Sequence, residues 1–337
     1  MTDSGILLVT GGSGFLGSAI VALARQSRRR VRIFDRSPKG NVGNSDLVVG
    51  DLSDHFAIRK ACEGVSTIIH AAGLAHVFGS EAKDIGRFML ANEIGTDNLV
   101  RAALDAGVSQ IVLVSSVAVY GETNGATLDE TADCAPENPY AVSKWHAERR
   151  AMERMVHSSA KLTILRFATM YGIGDPGNVA RLIRGLARER FIGFGTGLNR
   201  KSLIYRDDAA RACLAASNGM GSRIGVLNVS GPPSTMRDIV ASICEALGRP
   251  LPRLWINEHL VKTTSLAANV LGDPFQVSQA IRKFTRDDSY SGAKFKREYG
   301  FQDFTRLTEG IRNEVDWLVN SASMQKNRLS SWPRYNL

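Results

Sequence analysis

Short apolar runs alternate with longer stretches of helical periodicity through the first half of the chain. The strand-like runs lie at 6–10, 31–35, 47–52, 66–72, 110–116 and 162–167. Helix-length segments lie between most of them, at 15–27, 84–106 and 137–158. Strands continuously rich in Val, Ile and Leu are buried on both faces of a parallel sheet. The pattern therefore predicts an α/β fold with a doubly wound parallel sheet, which binds ligands at the carboxyl ends of its strands.

The rhythm changes after residue 170. Glycine-rich loops separate the later segments, which are a helix at 179–190, a strand at 201–205, a helix at 207–217, a strand at 223–231 and a helix at 235–247. We predict a first domain over 1–170 with a return segment at about 201–230. A smaller, mostly helical C-terminal lobe that binds substrate is predicted from 171–200 and 231–320, followed by a polar, poorly ordered tail over 321–337.

Composition narrows the picture. The chain has 337 residues, of which 44% are apolar and 22% charged, as in an ordinary globular protein with two lobes. The net charge of +9 gives weak support to an anionic small-molecule ligand. The basic run at 28–30 lacks the interleaved aromatic residues of single-strand nucleic-acid binders, so nucleic acid is not predicted. We expect a cytoplasmic location, because no apolar run suits a bilayer and the four cysteines lie far apart.

A glycine-rich loop follows the first predicted strand and opens the first predicted helix. Residues 10–17 read Thr-Gly-Gly-Ser-Gly-Phe-Leu-Gly. Glycine lets the backbone turn tightly and approach a pyrophosphate, which then faces the N–H groups of a helix N-terminus. Two registers fit, one through Gly12, Gly14 and Gly17 and one through Gly11, Gly14 and Gly17. Either register predicts a dinucleotide-binding Rossmann domain.

Asp35 ends the second predicted strand, eighteen residues after Gly17. A carboxylate at this place accepts both ribose hydroxyls of NAD and repels the 2′-phosphate of NADP. The neighbouring Arg36 argues in the other direction, because a guanidinium suits a phosphate. The spacing favours NAD over NADP.

A candidate catalytic pair lies at the start of a predicted helix. Tyr140 and Lys144 are four residues apart and so share one helical face. A Lys cation beside a Tyr hydroxyl lowers the pKa of the phenol, which then serves as an acid or base near neutral pH. Ser115 and Ser116 end the fifth predicted strand, at the edge where such sheets hold ligands. One of them is expected to polarise a substrate oxygen and the other only to cap the next turn.

Motifs of one family run through most of the chain. Besides Asp35, they are TGGSGFLG (10–17), GDLSD (50–54), HAAG (70–73), NEIGTDNLV (92–100), SSVAVYG (115–121), YAVSK (140–144), LRFATMYG (165–172), SLIYRDDAARA (202–212) and KFKREYGF (294–301). With these motifs the chain resembles the extended short-chain dehydrogenases/reductases of the NAD-dependent epimerase/dehydratase family. The resemblance implies a Rossmann fold and an NAD-dependent enzyme.

The resemblance also implies a role for each matching position, and it prefers the register through Gly11. The implied cofactor-binding residues are Gly11, Gly14, Phe15, Leu16 and Gly17 at the pyrophosphate, Asp35 and Arg36 at the ribose, Asp51 and Leu52 at the adenine, Ala71, Ala72 and Gly73 beneath the cofactor, and Asn92, Tyr140 and Lys144. The implied catalytic residues are Ser116, Tyr140 as the acid/base, and Lys144, which holds the nicotinamide ribose and tunes the tyrosine.

The reaction is narrowed by Val117 and Ala118. They stand where the 4,6-dehydratases of the family carry an acidic pair, so dehydration is disfavoured. The stretch 70–79 is similar to the bacterial UDP-hexosamine 4-epimerase and 4-ketoreductase branch, and we expect a UDP-hexose or UDP-hexosamine as substrate. Its implied binding residues are Ser115, Ser116, Thr169, Asn178, Val179, Arg200 and Lys201. Lys201 stands where such enzymes usually offer an Arg to the diphosphate, which leaves the substrate open.

Two other functions stay open. The stretch from about 252 to 301 also looks like the C-terminal part of the 3β-hydroxysteroid dehydrogenase-like branch. That branch implies an apolar alcohol or ketone as substrate, a pocket built by 171–200 and 252–275, and an NAD that exchanges freely. A catalytically idle NAD-binding regulator is the third possibility, and the presence of Ser116, Tyr140 and Lys144 argues against it.

Two further expectations concern histidines and assembly. His70, His76 and His146 are interpreted as structural residues, because they lack metal-ligand spacing and the family needs no metal. The habit of the family suggests a homodimer through the helices predicted at 84–106 and 137–158.

Overall fold

The computed structural model describes residues 5–37, 46–75, 81–188, 191–256, 282 and 284–326. The chain divides into two compact units. The first unit comprises Met1–Met170, Lys201–Pro233 and Asp287–Phe304, and the second comprises Tyr171–Arg200, Ser234–Arg286 and Thr305–Leu337. Within the described residues, no helix combines the length and the apolar character that crossing a bilayer requires.

A seven-stranded parallel sheet is the centre of the first unit. Its strands are β1 (Ile6–Thr10), β2 (Val31–Asp35), β3 (Asp46–Val49), β4 (Val65–His70), β5 (Gln110–Ser116), β6 (Lys161–Phe167) and β7 (Ile224–Val229). They lie in the order β7-β6-β5-β4-β1-β2-β3, with every neighbouring pair parallel. The chain therefore reverses direction across the sheet beside β1, the place where doubly wound sheets bind their ligands. The Rossmann-type α/β fold agrees with the sequence prediction.

Helices cover both faces of this sheet. They are α1 (Phe15–Gln26), α2 (His55–Cys62), α3 (Glu81–Phe88), α4 (Gly95–Asp105), α5 (Pro139–Met155), α7 (Arg206–Ala216) and α9 (Ala293–Tyr299). The two numbers left out belong to helices of the second unit, which are described below. A π-helical turn, Met89–Ile94, joins α3 to α4. Because successive side chains of a strand point to opposite faces, Leu7 packs in a core with Ile20 of α1, whereas Leu8 packs in a second core with Leu99 of α4.

The second unit contains α6 (Asn178–Ala187), α8 (Met236–Ala246) and α10 (Leu307–Lys326), which pack against one another. Two short strands, Gly193–Phe194 and Trp255–Ile256, pair in parallel beside them. α10 also lies very close to Tyr171. A Cβ on Gly310 would be 2.5 Å from the Tyr171 hydroxyl, so the close approach requires glycine at this position.

The structure corrects the predicted extent of the C-terminal lobe. Residues 287–304 were expected in that lobe but belong to the first unit. Ser289–Tyr290 pairs in parallel with Thr127–Leu128, and Phe295 of α9 is fully buried in the core beside β1. This pairing joins segments about 160 residues apart, which a local pattern does not report.

Three predicted elements also differ in detail. The helix predicted at 84–106 is divided by the π-helical turn into α3 and α4. The strand predicted at 201–205 is two short strands, Arg200–Lys201 and Leu203–Tyr205. The tail predicted from 321 is helical as far as Lys326, and its remainder, like most of the predicted pocket segment 252–275 and like His76, lies outside the described residues.

Candidate active site

The glycine loop joins β1 to α1 in a turn that side chains would block. Gly11 has a φ of +66°, in the left-handed region that favours glycine. A Cβ on Gly17 would lie 2.0 Å from the Gly11 carbonyl oxygen, and one on Gly11 would lie 2.8 Å from the backbone of Ala72. The N–H of Gly14 closes the turn on the Gly11 carbonyl at 2.9 Å. The loop therefore needs glycine at Gly11 and Gly17.

Ser13 adds a hydrogen-bonding group that the sequence prediction omitted. Its hydroxyl is buried and has no hydrogen-bond partner in the described part of the chain. A buried hydroxyl without a partner is costly unless a ligand completes it. It lies just before the N-terminus of α1, where a pyrophosphate is favoured. Of the two residues that follow Gly14, Leu16 is buried in the core, and Phe15 has its ring 6.0 Å from the Arg206 guanidinium.

Asp35 is held rigidly at the end of β2. Its two carboxylate oxygens accept the backbone N–H groups of Ser13 (2.9 Å) and Ser37 (3.1 Å). Arg36 is largely exposed, and its guanidinium lies 3.5 Å from the Asp51 carboxylate. The backbone N–H of Ser53 lowers the pKa of Asp51, with Arg36 acting in the same direction. Two carboxylates at this edge fit ribose hydroxyls better than a phosphate.

Leu52 belongs to the same edge of the sheet. Its carbonyl oxygen accepts the Asn98 side-chain amide at 3.0 Å. Its side chain lies against Gly95 of α4, where a Cβ would be 2.9 Å from it. These contacts fix the segment after β3, which carries the residues expected at the adenine.

His70 is the centre of a buried chain of hydrogen bonds. Its Nδ1 lies 2.6 Å from the Thr10 hydroxyl and its Nε2 lies 3.0 Å from the Thr96 hydroxyl. The Thr10 hydroxyl also accepts the N–H of Ala72 (3.2 Å), and the Thr96 hydroxyl donates to the Asn92 carbonyl. Burial, with a contribution from the Lys144 cation, lowers the pKa of His70 to about 3. The imidazole is therefore a neutral link between β1, β4 and the π-helical turn.

Asn92 continues this chain to the helix that carries the tyrosine. Its side-chain carbonyl accepts the Leu74 N–H at 2.7 Å, and its amide donates to the Leu74 carbonyl (3.0 Å) and to the Ser143 hydroxyl (2.8 Å). The Ser143 hydroxyl in turn donates to the Tyr140 carbonyl at 2.8 Å. Gly73 leaves room for this arrangement, because a Cβ there would lie 2.9 Å from the Asn92 oxygen. Because Gly73 has no side chain, the backbone there passes close to the amide of Asn92.

Ser116, Tyr140 and Lys144 are brought together by β5 and α5. The Asn138 side chain caps α5 by accepting the Ala141 N–H at 3.0 Å, and Tyr140 follows in the first turn. The Ser116 hydroxyl forms a hydrogen bond with the Tyr140 phenol. One helical turn later, the Lys144 ammonium donates to the Val114 carbonyl at 2.8 Å. The structure therefore joins three residues that the sequence separates by up to 28 positions.

Burial shifts the pKa values of Tyr140 and Lys144. Burial raises the pKa of Tyr140, and the hydrogen bond with Ser116 opposes the shift. Burial also lowers the pKa of Lys144 to about 8, against the effect of the Glu148 carboxylate. The expectation that the lysine lowers the tyrosine pKa is thus corrected for the protein alone. Desolvation of the phenolate outweighs the hydrogen bond with Ser116.

Ser115 does not lie with the other site residues, and its predicted contact with substrate is corrected. It is buried, and its hydroxyl donates to the Glu148 carboxylate at 2.5 Å. Arg166 binds the same carboxylate, with the shortest N–O distance 2.7 Å, and lies over the Tyr120 ring at 4.8 Å. A buried ion pair needs further hydrogen bonds to offset its desolvation. The Ser115 hydroxyl serves that purpose.

The remaining predicted substrate residues have unequal exposure. Thr169 and Arg200 are exposed, as is Asn178 at the start of α6, whereas the adjoining Val179 side chain is buried. Lys201 is also buried, and its ammonium forms an ion pair with Asp288 at 2.7 Å. The role expected for Lys201 at a diphosphate stays a prediction, and this ion pair argues against it because an internal carboxylate already neutralises the charge.

Several contributors escaped the sequence prediction. Ser143 and Glu148 lie one helical turn from Tyr140 and Lys144 respectively, so helical spacing contained a signal for them. Phe88, which contacts the Tyr140 ring edge-on with 6.1 Å between centroids, had no such signal. Its position depends on the packing of α3 against α5.

Comparison with known proteins places this geometry in a family. A family model described as "NAD dependent epimerase/dehydratase family" matches residues 7–229. The chain belongs to this family. It is similar to the 2-alkyl-3-oxoalkanoate reductase of Stenotrophomonas maltophilia, with 31% identity over 327 residues that cover 91% of this chain and 97% of the relative. It is also similar to the UDP-glucose 4-epimerase of Vibrio cholerae, with 30% identity over 91% of this chain and 93% of that protein.

Among solved structures, the chain resembles MoeE5 in complex with UDP-glucose and NAD. The TM-score is 0.77 and the identity 27%, covering 94% of this chain and 100% of MoeE5. As a family member, the chain is an NAD-dependent enzyme of the extended short-chain dehydrogenase/reductase type. The site fits NAD, because the glycine loop leaves space that a Cβ would fill, Ser13 offers a hydroxyl, and Asp35 is fixed for the ribose.

Proposed function

We propose that the protein is an NAD-dependent 4-epimerase or 4-ketoreductase of a UDP-hexose or UDP-hexosamine. The observation that carries the proposal is the likeness to MoeE5 over nearly the whole chain, since MoeE5 was solved with both UDP-glucose and NAD. The relation to the UDP-glucose 4-epimerase of Vibrio cholerae supports the same substrate class. The net charge of +9 suits an anionic substrate.

In this proposal the chemistry belongs to the three residues on β5 and α5. Tyr140 takes the proton of the substrate C4 hydroxyl, and the Ser116 hydroxyl, which hydrogen-bonds the phenol, orients the same substrate oxygen. Lys144 holds the nicotinamide ribose and places a positive charge near Tyr140 when the phenol is ionised. NAD, when bound, supplies the acceptor for the hydride that leaves C4.

The position of the tyrosine explains why a lysine is needed. Burial alone raises the Tyr140 pKa, which opposes loss of its proton. A nearby cation favours the phenolate, and the Lys144 ammonium retains its proton at neutral pH, because its pKa is about 8. The hydrogen-bond chain from His70 through Asn92 and Ser143 holds the start of α5 in place.

The residues after Ser116 argue against elimination of water. Val117 is buried and Ala118 is partly buried, and neither side chain carries an acid or a base. Elimination across C5 and C6 requires such groups at these positions in the family. Hydride transfer at one carbon needs, besides NAD as the hydride acceptor, only the tyrosine, the serine and the lysine.

A second candidate is reduction or oxidation of an apolar alcohol or ketone. Lys201, the cation expected at a diphosphate, is buried and paired with Asp288. The relation to the 2-alkyl-3-oxoalkanoate reductase of Stenotrophomonas maltophilia, at 31% identity over nearly both full lengths, favours this candidate. An idle NAD-binding regulator has no observation in its favour.

The deciding experiment separates a recycled cofactor from an exchanged one. The purified protein is denatured and the supernatant assayed for nicotinamide, and the native protein is incubated with UDP-glucose, UDP-N-acetylglucosamine and UDP-glucuronic acid while C4 inversion or reduction is followed by NMR. About one NAD retained per chain together with inversion of one UDP-sugar indicates an epimerase. An empty site with NADH-dependent turnover indicates a reductase. If the protein neither binds nor alters any of the three UDP-sugars, the proposal is refuted.

Assembly is a separate part of the proposal. We expect a homodimer through the helices at 84–106 and 137–158. Sedimentation of the purified protein at micromolar concentration tests it, and a monomer over the whole range would contradict it.

A further inference from the structure

Glu314 is a carboxyl group buried in the second unit, and the proposed chemistry does not use it. It lies on α10 with no exposed surface. One of its oxygens, Oε2, accepts the backbone N–H of Gly172 at 2.9 Å. The other, Oε1, is buried and has no hydrogen-bond partner among the described residues, and the Asp175 carboxyl group is close enough to raise the pKa of Glu314.

Asp175 connects Glu314 to the start of α6. It is buried, and its two oxygens accept the N–H groups of Gly177 (2.6 Å) and Ala180 (3.0 Å). Those N–H groups belong to the first turn of α6 and to the residue that caps it, so Asp175 fixes the N-terminus of the helix. Asn178, the first residue of α6, is exposed there.

The same face of α10 holds the segment before α6 at a second point. Gly310 lies one helical turn before Glu314 and is in close contact with the Tyr171 ring. α10 therefore touches the segment 171–180 through Tyr171, Gly172 and Asp175. These contacts restrain the backbone at the start of α6.

The buried carboxyl group of Glu314 keeps its proton at neutral pH. Burial and the neighbouring Asp175 raise the pKa of Glu314 to about 9, while the Gly172 N–H and the Arg184 cation on α6 oppose the shift. From α8, Glu245 pairs with Arg312 on an exposed side of α10 at 3.8 Å. Because Oε2 of Glu314 already accepts the Gly172 N–H group, the acidic hydrogen belongs on Oε1.

We propose that Glu314 is a positioning residue that fixes the N-terminus of α6, through Gly172 and Asp175, so that Asn178 is oriented for the substrate diphosphate. The inference rests on the proposed function for the role of Asn178. It predicts an effect on substrate binding and none on the chemical step, because Glu314 reaches the substrate only through the segment 171–180.

Three variants test the assignment. Glu314→Leu removes the hydrogen bond to Gly172, Glu314→Gln keeps an acceptor for Gly172 without an ionisable group, and Asp316→Asn changes an exposed carboxylate on the same helix. We expect Glu314→Leu to raise KM for the UDP-sugar about fivefold, the value of one lost hydrogen bond between neutral groups, with kcat within about threefold. Glu314→Gln should restore most of the loss, and Asp316→Asn should change neither parameter.

The pH dependence gives a readout that a merely structural role would not move. Above about pH 9 the wild-type Glu314 loses its proton, and its negative charge then repels the Asp175 carboxylate. The wild-type KM should therefore rise between pH 8 and pH 10, whereas the KM of Glu314→Gln should stay flat, because an amide does not ionise. Parallel KM profiles in both proteins would overturn the assignment.

Amide hydrogen exchange tests the positioning without any substrate. Exchange at Gly177 and Ala180 should be at least about tenfold faster in Glu314→Leu than in wild type or Asp316→Asn. Unchanged exchange in a folded Glu314→Leu protein would refute the positioning role, whatever the substrate. Faster exchange in a protein that turns over no UDP-sugar would retain the positioning role and refute the proposed function instead.

Discussion

The two units hold their candidate site residues by different means. In the first unit, backbone geometry and neutral hydrogen bonds define the site, from the turn at Gly11 to the chain through His70 and Asn92. In the second unit, the exposed side chain of Asn178 follows a segment that two buried carboxyl groups, Glu314 and Asp175, hold by backbone hydrogen bonds.

The difference follows from what each unit recognises. A pyrophosphate and a ribose are the same in every NAD enzyme, so the backbone of a tight turn and one fixed carboxylate suffice for them. A substrate differs between relatives, so its recognition depends on individual side chains whose surroundings also change. Lys201 illustrates the point, since the cation expected at a diphosphate is paired with Asp288.

The largest expected effect is that of Tyr140→Phe in the first unit. Loss of the phenol removes the acid/base group, so kcat should fall about 10³-fold, within the range for general acid–base catalysis. The Kd for NAD, measured by calorimetry, should change by less than about threefold. Tyr299→Phe serves as the control. It removes a hydroxyl on α9 that donates to the Met220 carbonyl. A Tyr140→Phe enzyme with near-normal kcat would contradict the assignment.

Gly17→Ala should nearly abolish NAD binding. The new Cβ would lie 2.0 Å from the Gly11 carbonyl oxygen, so the glycine loop must move. We expect the Kd for NAD to rise at least about 100-fold, since both the turn and the helix N-terminus lose their alignment. Gly86→Ala is the matched control, because among the described residues no atom outside its own helical turn would lie within 4 Å of the added Cβ. Equal affinity of the two variants for NAD would show that the loop does not bind the cofactor as described.

His70 should make the protein sensitive to acid. Its pKa is about 3 in the folded protein, against an ordinary value of 6.5. Between these two pH values, His70 is therefore protonated in the unfolded chain but neutral in the folded protein. This contribution to the free energy of unfolding therefore falls by up to about 1.4 kcal/mol for each unit that the pH drops between 6.5 and 3. Urea unfolding at several pH values should show a weaker dependence in His70→Gln than in the exposed control His157→Gln. Identical slopes in both variants would mean that His70 is protonated when folded.

The smallest effect concerns Lys201 and Asp288. Lys201→Met should lower the free energy of unfolding by about 2 kcal/mol, because it leaves a partly buried carboxylate without its partner. In an Asp288→Asn background the same change should cost less, with a coupling of about 1 kcal/mol in a double-mutant cycle. The KM for substrate, corrected for folded protein, should stay within about threefold. A large rise in KM with no coupling would return Lys201 to the substrate site.

Local patterns in the sequence already define much of the first unit. Runs of Val, Ile and Leu indicate the strands, and the spacing of Gly11, Gly14 and Gly17 with Asp35 indicates the cofactor loop. The four-residue step from Tyr140 to Lys144 places both on one face of a helix. These features lie within a single strand, turn or helix, so neighbouring residues specify them.

Only the tertiary structure decided which polar groups meet. Ser115 forms part of the ion pair of Glu148, Lys201 binds Asp288, and Glu314 reaches Gly172 and Asp175 from 142 and 139 residues away. The packing of residues 287–304 in the first unit likewise depends on contacts between segments that are far apart in the sequence. Such contacts depend on how whole elements pack, and a buried charge takes whichever partner the packing brings to it. Sequence spacing therefore determined the cofactor loop and the catalytic helix, whereas packing decided which predicted substrate residues remain available to a ligand.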